Sequence, residues 1–151
     1  MTRPSREQIH METAILWGKR STCKRPNRKI GCVITSENMR QILAFGYCGP
    51  PKGLPNDSCK GSDCVGFCGC SHSEVNAITF VDGTITNKKL FVSMSPCYSC
   101  AVMISQANIS EVYFAEYYRN TDGLELLEKC GIKTYFHPAV DIKKICDTDE
   151  I

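Results

Sequence analysis

Apolar residues recur at helical spacing near the start of the chain and in short strand-like runs after it. Residues 6–19 form an amphipathic pattern that predicts a helix, with Ser5 as its N-cap. The apolar positions of this pattern include Ile9, Ala14, Leu16 and Trp17. Two apolar runs, at residues 30–35 and 41–46, flank a polar stretch at 36–40, and this arrangement predicts a β-hairpin.

Helical and strand patterns alternate in the second half of the chain. One helix is predicted to begin near His72, a second near Cys97, and a third covers residues 123–129. The positions expected to face inward in the first two are Val75, Ala77, Ile78, Phe80, Ala101, Val102, Ile104 and Ala107. Strands are predicted at residues 89–93, 111–115 and 133–136. We therefore expect a three-layer α/β/α fold, with a mixed sheet of about five strands and helices on both faces.

The segment 47–71 is rich in glycine, proline and cysteine and carries no periodic pattern. A loop of this length inside a compact domain needs a functional or metal-bound explanation. Neither an internal repeat nor a domain linker is visible in the sequence. We expect a single domain over residues 1–151, with a cysteine-rich insertion loop at about 47–71.

The composition narrows the class of protein. The 151 residues are 42% hydrophobic and 23% charged, as in a globular domain, and the net charge of +2 is too small for a protein that coats nucleic acid. No apolar run approaches the roughly 20 residues of a membrane span. Residues 1–10 lack the apolar core of a signal peptide. We therefore expect a cytoplasmic protein without nucleic-acid or membrane partners.

Eleven cysteines are unusual in a chain of this length. An odd number without a signal peptide argues against a full disulfide framework and favours metal binding in a reducing compartment. Four cysteines of the 47–71 loop are candidate metal ligands, together or as a subset: Cys59, Cys64, Cys68 and Cys70. Three others are expected to be small core or surface residues: Cys32, Cys130 and Cys146.

The segments His-Ser-Glu at 72–74 and Pro-Cys-Tyr-Ser-Cys at 96–100 are the most informative about chemistry. Zinc accepts histidine nitrogen and cysteine sulfur, and three protein ligands leave a fourth position for a water whose pKa falls to about 7. A glutamate that does not bind the metal can move protons between that water and a substrate nitrogen. This pattern, H-x-E followed by P-C-x-x-C, is the signature of zinc nucleobase deaminases.

The spacing of these residues restricts how they can converge. Cys97 and Cys100 share one face of a helical first turn, where the helix N-terminus favours the thiolate form. His72 and Glu74 would lie about 200° apart within a regular helix. They converge only if His72 stands at the start of the helix, with the metal beyond that end.

The motifs resemble those of the cytidine deaminase superfamily, and within it the deoxycytidylate (dCMP) deaminases. The likeness extends over residues 21–118 and rests on the segments 21–23, 29–34, 46–53, 72–78 and 95–100. The Asn-Ala-Ile after the H-x-E and the Gly-Tyr-x-Gly-x-Pro turn at 46–51 favour the dCMP branch.

The resemblance implies zinc-dependent hydrolytic deamination of dCMP to dUMP and ammonia, which supplies dUMP for thymidylate synthesis. It assigns the zinc to His72, Cys97 and Cys100, and proton transfer to Glu74, which then needs a pKa raised toward neutrality. The substrate-binding residues that it implies are Asn27, Arg28, Asn76 and Tyr118.

Two positions depart from the family pattern. Ser73 stands where the family usually has alanine, a small change that should leave the metal site intact. Cys48 stands where the Gly-Tyr-x-Gly turn has asparagine, and a thiol cannot replace the amide's donor and acceptor. The contact that this turn makes with the substrate sugar in the family is therefore not carried over to this chain. In the family this turn also belongs to a regulatory site for dCTP and dTTP. The resemblance therefore implies a Mg2+-nucleotide effector and a homohexamer, with the effector site altered at Cys48.

The resemblance also implies a structural zinc that holds the long loop. Its ligands would be Cys23, Cys59, Cys64 and Cys68, with Cys70 as an alternate ligand. The other arrangement uses Cys59, Cys64, Cys68 and Cys70 alone, without Cys23.

Two rival functions stay open at this point. The first is a related deaminase that acts on another cytosine nucleotide, a nucleoside or an RNA base. The second is a zinc-stabilised binding module without catalysis, against which the presence of Glu74 argues.

Overall fold

A computed structural model describes residues 3–61 and 68–147. Cys64, one of the candidate metal ligands, lies outside the described residues. The helices are α1 (Arg6–Gly18), α2 (Ser73–Ile78), α3 (Tyr98–Gln106), α4 (Asp122–Lys129) and α5 (Ile142–Asp147). The strands are β1 (Gly31–Thr35), β2 (Ile42–Tyr47), β3 (Lys88–Met94), β4 (Ile109–Glu116) and β5 (Lys133–Phe136).

The five strands form one mixed sheet in the order β2-β1-β3-β4-β5. Strand β1 pairs antiparallel with both β2 and β3, whereas β3, β4 and β5 are parallel. Helix α1 covers one face, in a core that includes Met11, Val33 and Phe91. Helices α2, α3 and α4 cover the other face, where the larger core includes Ile34 and Leu90. The predicted α/β/α fold with a mixed sheet is confirmed.

One edge of the sheet collects the chain segments that carry the candidate site. Gly31, the first residue of β1, is paired with Tyr47 at the end of β2, and Cys32 is paired with Val92 near the end of β3. Because β4 runs parallel to β3, its end at Glu116 lies at the same edge. The segments that follow β2, β3 and β4 therefore meet there.

Helix α2 packs directly on the backbone of β2. A Cβ atom added at Gly46 would collide with the carbonyl oxygen of Ser73 and would lie 2.6 Å from the backbone nitrogen of Ala77. No real Cβ atom approaches a backbone so closely, so the absence of a side chain at Gly46 sets the distance between helix and strand. The start of α2, with His72 and Glu74, is thereby held against the sheet.

Several apolar residues are more exposed than the sequence pattern predicts. Helix α2 ends at Ile78, so Phe80 falls in the turn beyond it, where helical periodicity no longer applies, and is 73% exposed. Val102 of α3 is also exposed. The predictions that these two residues face inward are wrong. In α1 the buried positions are His10, Met11, Ala14 and Gly18, whereas Ile9 and Leu16 are exposed.

Helix α1 begins as predicted and makes an aromatic contact with the edge strand. Ser5 caps α1, accepting a hydrogen bond from the backbone N–H of Gln8. Near the other end, the ring of Trp17 stacks on Phe45 of β2 with centroids 3.9 Å apart, and the ring of Tyr47 follows at 6.3 Å. Helix α5, which packs on α1, had no counterpart in the sequence prediction. Within the described residues, every helix falls short of the length and apolar content that crossing a membrane requires.

Candidate metal centre and active-site pocket

His72, Cys97 and Cys100 meet at the N-terminal ends of two helices. His72 is the N-cap of α2 and Cys97 is the N-cap of α3, both with extended backbone angles that direct the chain off the helix end. The Nδ1 atom of His72 lies 3.5 Å from Cys97 Sγ and 3.4 Å from Cys100 Sγ. One imidazole nitrogen and two sulfurs within 4.8 Å of one another are a donor set that suits zinc with an open fourth position. His72 thus occupies the helix start that convergence with Glu74 requires.

The electrostatics of this triad favour a bound cation. A hydrogen bond from the Cys100 thiol lowers the pKa of Cys97 to about 4, and His72 acts in the same direction. The Cys97 sulfur in turn raises the pKa of His72. Negative charge therefore concentrates on the Cys97 sulfur, whereas the hydrogen bond to Cys97 raises the pKa of the Cys100 thiol. A thiolate is the form of cysteine that binds a metal ion.

Glu74 lies beside the triad and is almost completely buried, with 4% of its surface exposed. Burial raises the pKa of its carboxyl group, because the charged form loses its hydration. The carboxyl group contacts the Cys100 thiol and accepts a hydrogen bond of 2.6 Å from the Ser73 hydroxyl. A protonatable group is thus held next to the candidate metal ligands without belonging to them.

A pocket opens over the triad, and two of the four residues implied by the resemblance as substrate contacts line it. Arg28 and Tyr118 are both in its wall, with the Arg28 guanidinium 5.5 Å from the centroid of the Tyr118 ring. The backbone N–H of Tyr118 donates to Ser95 Oγ at 2.7 Å, which fixes the chain after β4 to the chain after β3. Arg25 also lines the pocket, and sequence reasoning missed it, since a basic residue in a loop carries no pattern of its own.

The other two expected contacts are placed elsewhere. Asn27 is exposed in a turn with φ of 57°, a backbone angle that asparagine tolerates better than most residues. Asn76 lines a neighbouring groove, where its Nδ2 donates to the Tyr47 carbonyl at 2.8 Å and its Oδ1 accepts from Ser71 at 3.1 Å. Asn76 therefore holds the turn after β2 against α2.

A second cluster of thiols forms the adjoining wall of the same pocket. The sulfur atoms of Cys23, Cys59, Cys68 and Cys70 all lie within 4.8 Å of one another. Cys23 Sγ is 3.8 Å from Cys59 Sγ and 3.9 Å from Cys68 Sγ. This grouping joins the segment after α1 to the 47–71 loop, and it includes Cys70. A closed set of four sulfurs suits a structural zinc.

Two backbone N–H groups donate hydrogen bonds to the sulfur of Cys59. Burial raises the pKa of its thiol, but the backbone N–H groups of Lys24 and Gly61 donate to the sulfur and bring the pKa down to about 6. The nearby Cys48, which replaces the asparagine of the family turn, is buried in the pocket wall, and burial raises its pKa to about 12. Cys48 therefore presents a neutral thiol to the pocket.

An α/β/α sandwich that brings a histidine, two cysteines and a buried glutamate to one sheet edge defines a zinc-type nucleobase deaminase scaffold. The chain belongs to the cytidine and deoxycytidylate deaminase family, whose zinc-binding region matches residues 4–116.

Individual relatives agree with this membership. Deoxycytidylate deaminase of Saccharomyces cerevisiae is 34% identical over 143 residues, which is 87% of this chain and 45% of the yeast protein. Deoxycytidylate deaminase of Homo sapiens is 33% identical over 124 residues, covering 76% of this chain and 67% of the human protein. The chain thus spans less than half the length of the yeast relative.

A solved structure is similar over nearly the whole chain. The crystal structure of dCMP deaminase from the cyanophage S-TIM5, in complex with dCMP and dUMP, superposes with a TM-score of 0.78 and 29% identity. The superposition covers 91% of this chain and 100% of that one. The observed sheet with its helices is therefore the cytidine deaminase fold.

Proposed function

We propose that this protein catalyses the hydrolytic deamination of dCMP to dUMP and ammonia. The observation that carries the proposal is the buried carboxyl group of Glu74 beside the triad of His72, Cys97 and Cys100, in a pocket that also contains Arg28. Support comes from the relatives named deoxycytidylate deaminase and from the phage enzyme whose structure holds dCMP and dUMP. The product would supply dUMP for thymidylate synthesis.

His72, Cys97 and Cys100 hold the zinc, which when bound supplies Lewis acidity toward a water molecule. Glu74 takes a proton from the attacking water and passes it to N3 of the cytosine ring. A further proton transfer through the same carboxyl group lets the amino group leave as ammonia, so that one water is consumed for each dUMP formed. The raised pKa of Glu74 suits a group that must accept and donate within one cycle.

The basic residues of the pocket suit a nucleoside monophosphate. Arg28 lies against the face of Tyr118, and Arg119 lies on the same ring at 5.6 Å. We assign phosphate recognition to Arg28 with Arg25, because guanidinium groups bind phosphate oxygens through paired N–H donors. The aromatic ring of Tyr118 provides a flat surface beside them.

Ammonia release from dCMP, dCTP, deoxycytidine and tRNA under matched conditions tests the proposal. We expect turnover of dCMP with the highest kcat/KM, because its single phosphate can be bound by Arg25 and Arg28, a contact that deoxycytidine lacks. Absence of dCMP turnover contradicts it. Turnover of another substrate would identify a related deaminase, and inactivity on all four would support a zinc-stabilised binding module.

A structural zinc bound by Cys23, Cys59, Cys68 and Cys70 is the second part of the proposal. The mutual distances of the four sulfurs support it. The sequence resemblance implies Cys64 in place of Cys70, so the two cysteines make a matched pair. Cys70→Ser should lower the zinc content from two ions per chain toward one, whereas Cys64→Ser should keep both. The reverse result would assign the site to Cys64.

The groove on the other side of the turn after β2 is a candidate site for a nucleotide effector. It is lined by Arg20, Tyr47, Lys52 and Asn76, which offer charge, an aromatic face and an amide. We propose that dCTP or dTTP, with Mg2+ on its phosphates, binds here and that the protein is a homohexamer. Isothermal titration with each nucleotide and light scattering test the two statements separately. A Lys52→Ala variant should weaken effector binding while turnover of dCMP alone is unchanged.

A further inference from the structure

Ser73 occupies an unusual position between a candidate metal ligand and the candidate proton carrier. It is the first residue of α2, it is completely buried, and it forms part of the pocket wall. Its hydroxyl donates a hydrogen bond of 2.6 Å to Glu74 Oε1. Buried hydroxyl groups need a partner, and here the partner is the carboxyl group of the neighbouring residue.

This contact restricts a motion that a glutamate otherwise has. The terminal torsion of a glutamate side chain is broad and roughly two-fold, so an unsupported carboxyl group samples many orientations of its plane. A short hydrogen bond to an ionised oxygen is among the stronger contacts of a protein. With Oε1 of Glu74 held by Ser73, the plane of the carboxyl group is set, and Oε2 is the oxygen left without this partner.

We propose that Ser73 is a positioning residue, which holds Oε1 of Glu74 so that Oε2 takes the proton from water and delivers it to the substrate. This inference rests on the proposed deamination, since it gives the proton-transfer step a defined oxygen. The Ser73 hydroxyl can keep its hydrogen bond throughout the cycle, because Oε1 of Glu74 remains an acceptor whether Oε2 is charged or protonated. Alanine, the usual residue of the family pattern, offers no such donor.

The variant Ser73→Ala tests the inference. Alanine is smaller and forms helices well, so the fold and the zinc content should be retained. We expect kcat for dCMP to fall about tenfold, the order of loss for a slightly misplaced reacting group, while KM changes by less than about twofold. Loss of activity through damaged packing would instead appear in the melting temperature and in the zinc content.

Ligand binding gives a readout that does not depend on turnover. A pyrimidinone deoxynucleotide that adds water at C4 imitates the tetrahedral transition state, so its affinity should fall by the same factor of about ten in Ser73→Ala. The affinity for dUMP, which needs no proton transfer, should stay the same. In a Glu74→Ala background the serine has no carboxyl group to orient, and Ser73→Ala should then leave analogue affinity unchanged.

Thr35→Val is a matched control. Thr35 is equally buried, and its hydroxyl donates to the Ser36 carbonyl at 3.0 Å, at the opposite end of β1 from the pocket. It should keep the wild-type kcat. Wild-type kcat and analogue affinity in Ser73→Ala would overturn the inference, as would an equal loss in the Glu74→Ala background. Wild-type protein that fails to deaminate dCMP would overturn the proposed function, and the serine's role with it.

Discussion

Glu74 shows how burial shapes the chemistry of a single residue. A carboxyl group in water is ionised well below neutral pH, but at 4% exposure the charged form of Glu74 has lost most of its hydration. The Ser73 hydroxyl and the neighbouring His72 partly restore the charged form, and the balance still leaves the pKa raised. A side chain poised in this way exchanges protons more readily in both directions than an exposed glutamate.

Replacement of this group separates chemistry from metal binding. Glu74→Gln keeps the shape and removes the proton carrier, so kcat should fall by about 10²–10⁴-fold. Zinc content should remain that of the wild type, because the three ligands are untouched. Metal analysis and ammonia release measure the two quantities on the same sample. Glu128→Gln, an exposed change on α4, is the control, and retained activity in Glu74→Gln would remove this residue from its role.

At the scale of elements, the contact between α2 and β2 determines where the candidate metal ligand His72 lies. Gly46→Ala forces a methyl group against the backbone of Ser73 and Ala77, so the helix must move away from the strand. We expect a loss of about 1–3 kcal/mol in the free energy of unfolding, as for other overpacked sites, together with weaker zinc binding.

Denaturant unfolding and zinc titration measure these effects of Gly46→Ala. Gly83→Ala is the matched control, because an added Cβ there meets nothing within 4 Å and its backbone angle is ordinary. It should change the free energy of unfolding by less than about 0.5 kcal/mol. Equal losses in the two variants would show that the close packing of α2 on β2 is not what matters.

The connection between α2 and β3 depends on a buried lysine. Lys88 is completely buried, and its Nζ donates to the carbonyls of Asp82 at 3.0 Å and Ile85 at 2.5 Å. Lys88→Met should therefore lower the free energy of unfolding by about 1–3 kcal/mol, since two charge-assisted hydrogen bonds are lost. Burial lowers the pKa of Lys88, because the charged ammonium group loses hydration there.

Lys89→Met is the companion variant. Its Nζ pairs with Glu111 at 3.1 Å near the surface, and such pairs contribute up to about 1 kcal/mol. Thermal and urea unfolding of the two variants should place Lys88→Met clearly below Lys89→Met. The opposite order would mean that the carbonyls of Asp82 and Ile85 are hydrogen-bonded by water as favourably as by the lysine.

For the molecule as a whole, the order of helices and strands followed from the sequence, but its details did not. Short apolar runs predicted every strand within a few residues, because strands buried on both faces, such as β1 and β3, consist largely of consecutive buried residues. Helix α5 was not predicted, since its six residues are too few for a helical period to be recognised in the sequence. Phe80 was expected inside because the periodicity was extended past the point where α2 ends.

The residues of the candidate site also differ in how well the sequence predicted them. His72, Glu74, Cys97 and Cys100 were identified because ligand chemistry constrains residue type and spacing together. Loop residues carry no such constraint. No sequence pattern marked Arg25 as a pocket residue. The motif identified Asn76, but it did not show that the side-chain amide would donate to the Tyr47 carbonyl. Which cysteines gather in three dimensions depends on the path of the 47–71 loop, and sequence spacing does not encode that path.

The second cysteine cluster ties distant parts of the molecule together, because Cys23 follows α1 while Cys59, Cys68 and Cys70 come from the long loop. Cys23→Ser should therefore lower the zinc content by about one ion per chain and lower the melting temperature, since metal binding orders a loop without a core of its own. Cys130→Ser, at an exposed position after α4, should change neither quantity. Elemental analysis and calorimetry make the comparison, and unchanged zinc in Cys23→Ser contradicts it.

The stacking of Trp17 on Phe45 gives the protein a built-in optical reporter. Trp17 is the single tryptophan of the chain, and Phe45 and Tyr47, the rings stacked with it, line the groove proposed for the effector. The fluorescence of Trp17 should therefore change when a nucleotide base stacks on Tyr47. The candidate active-site pocket, as far as the structure describes it, is lined without Trp17. Tryptophan fluorescence should thus report the binding of the effector, and ammonia release should report turnover. Both can be measured on the same sample of unlabelled protein.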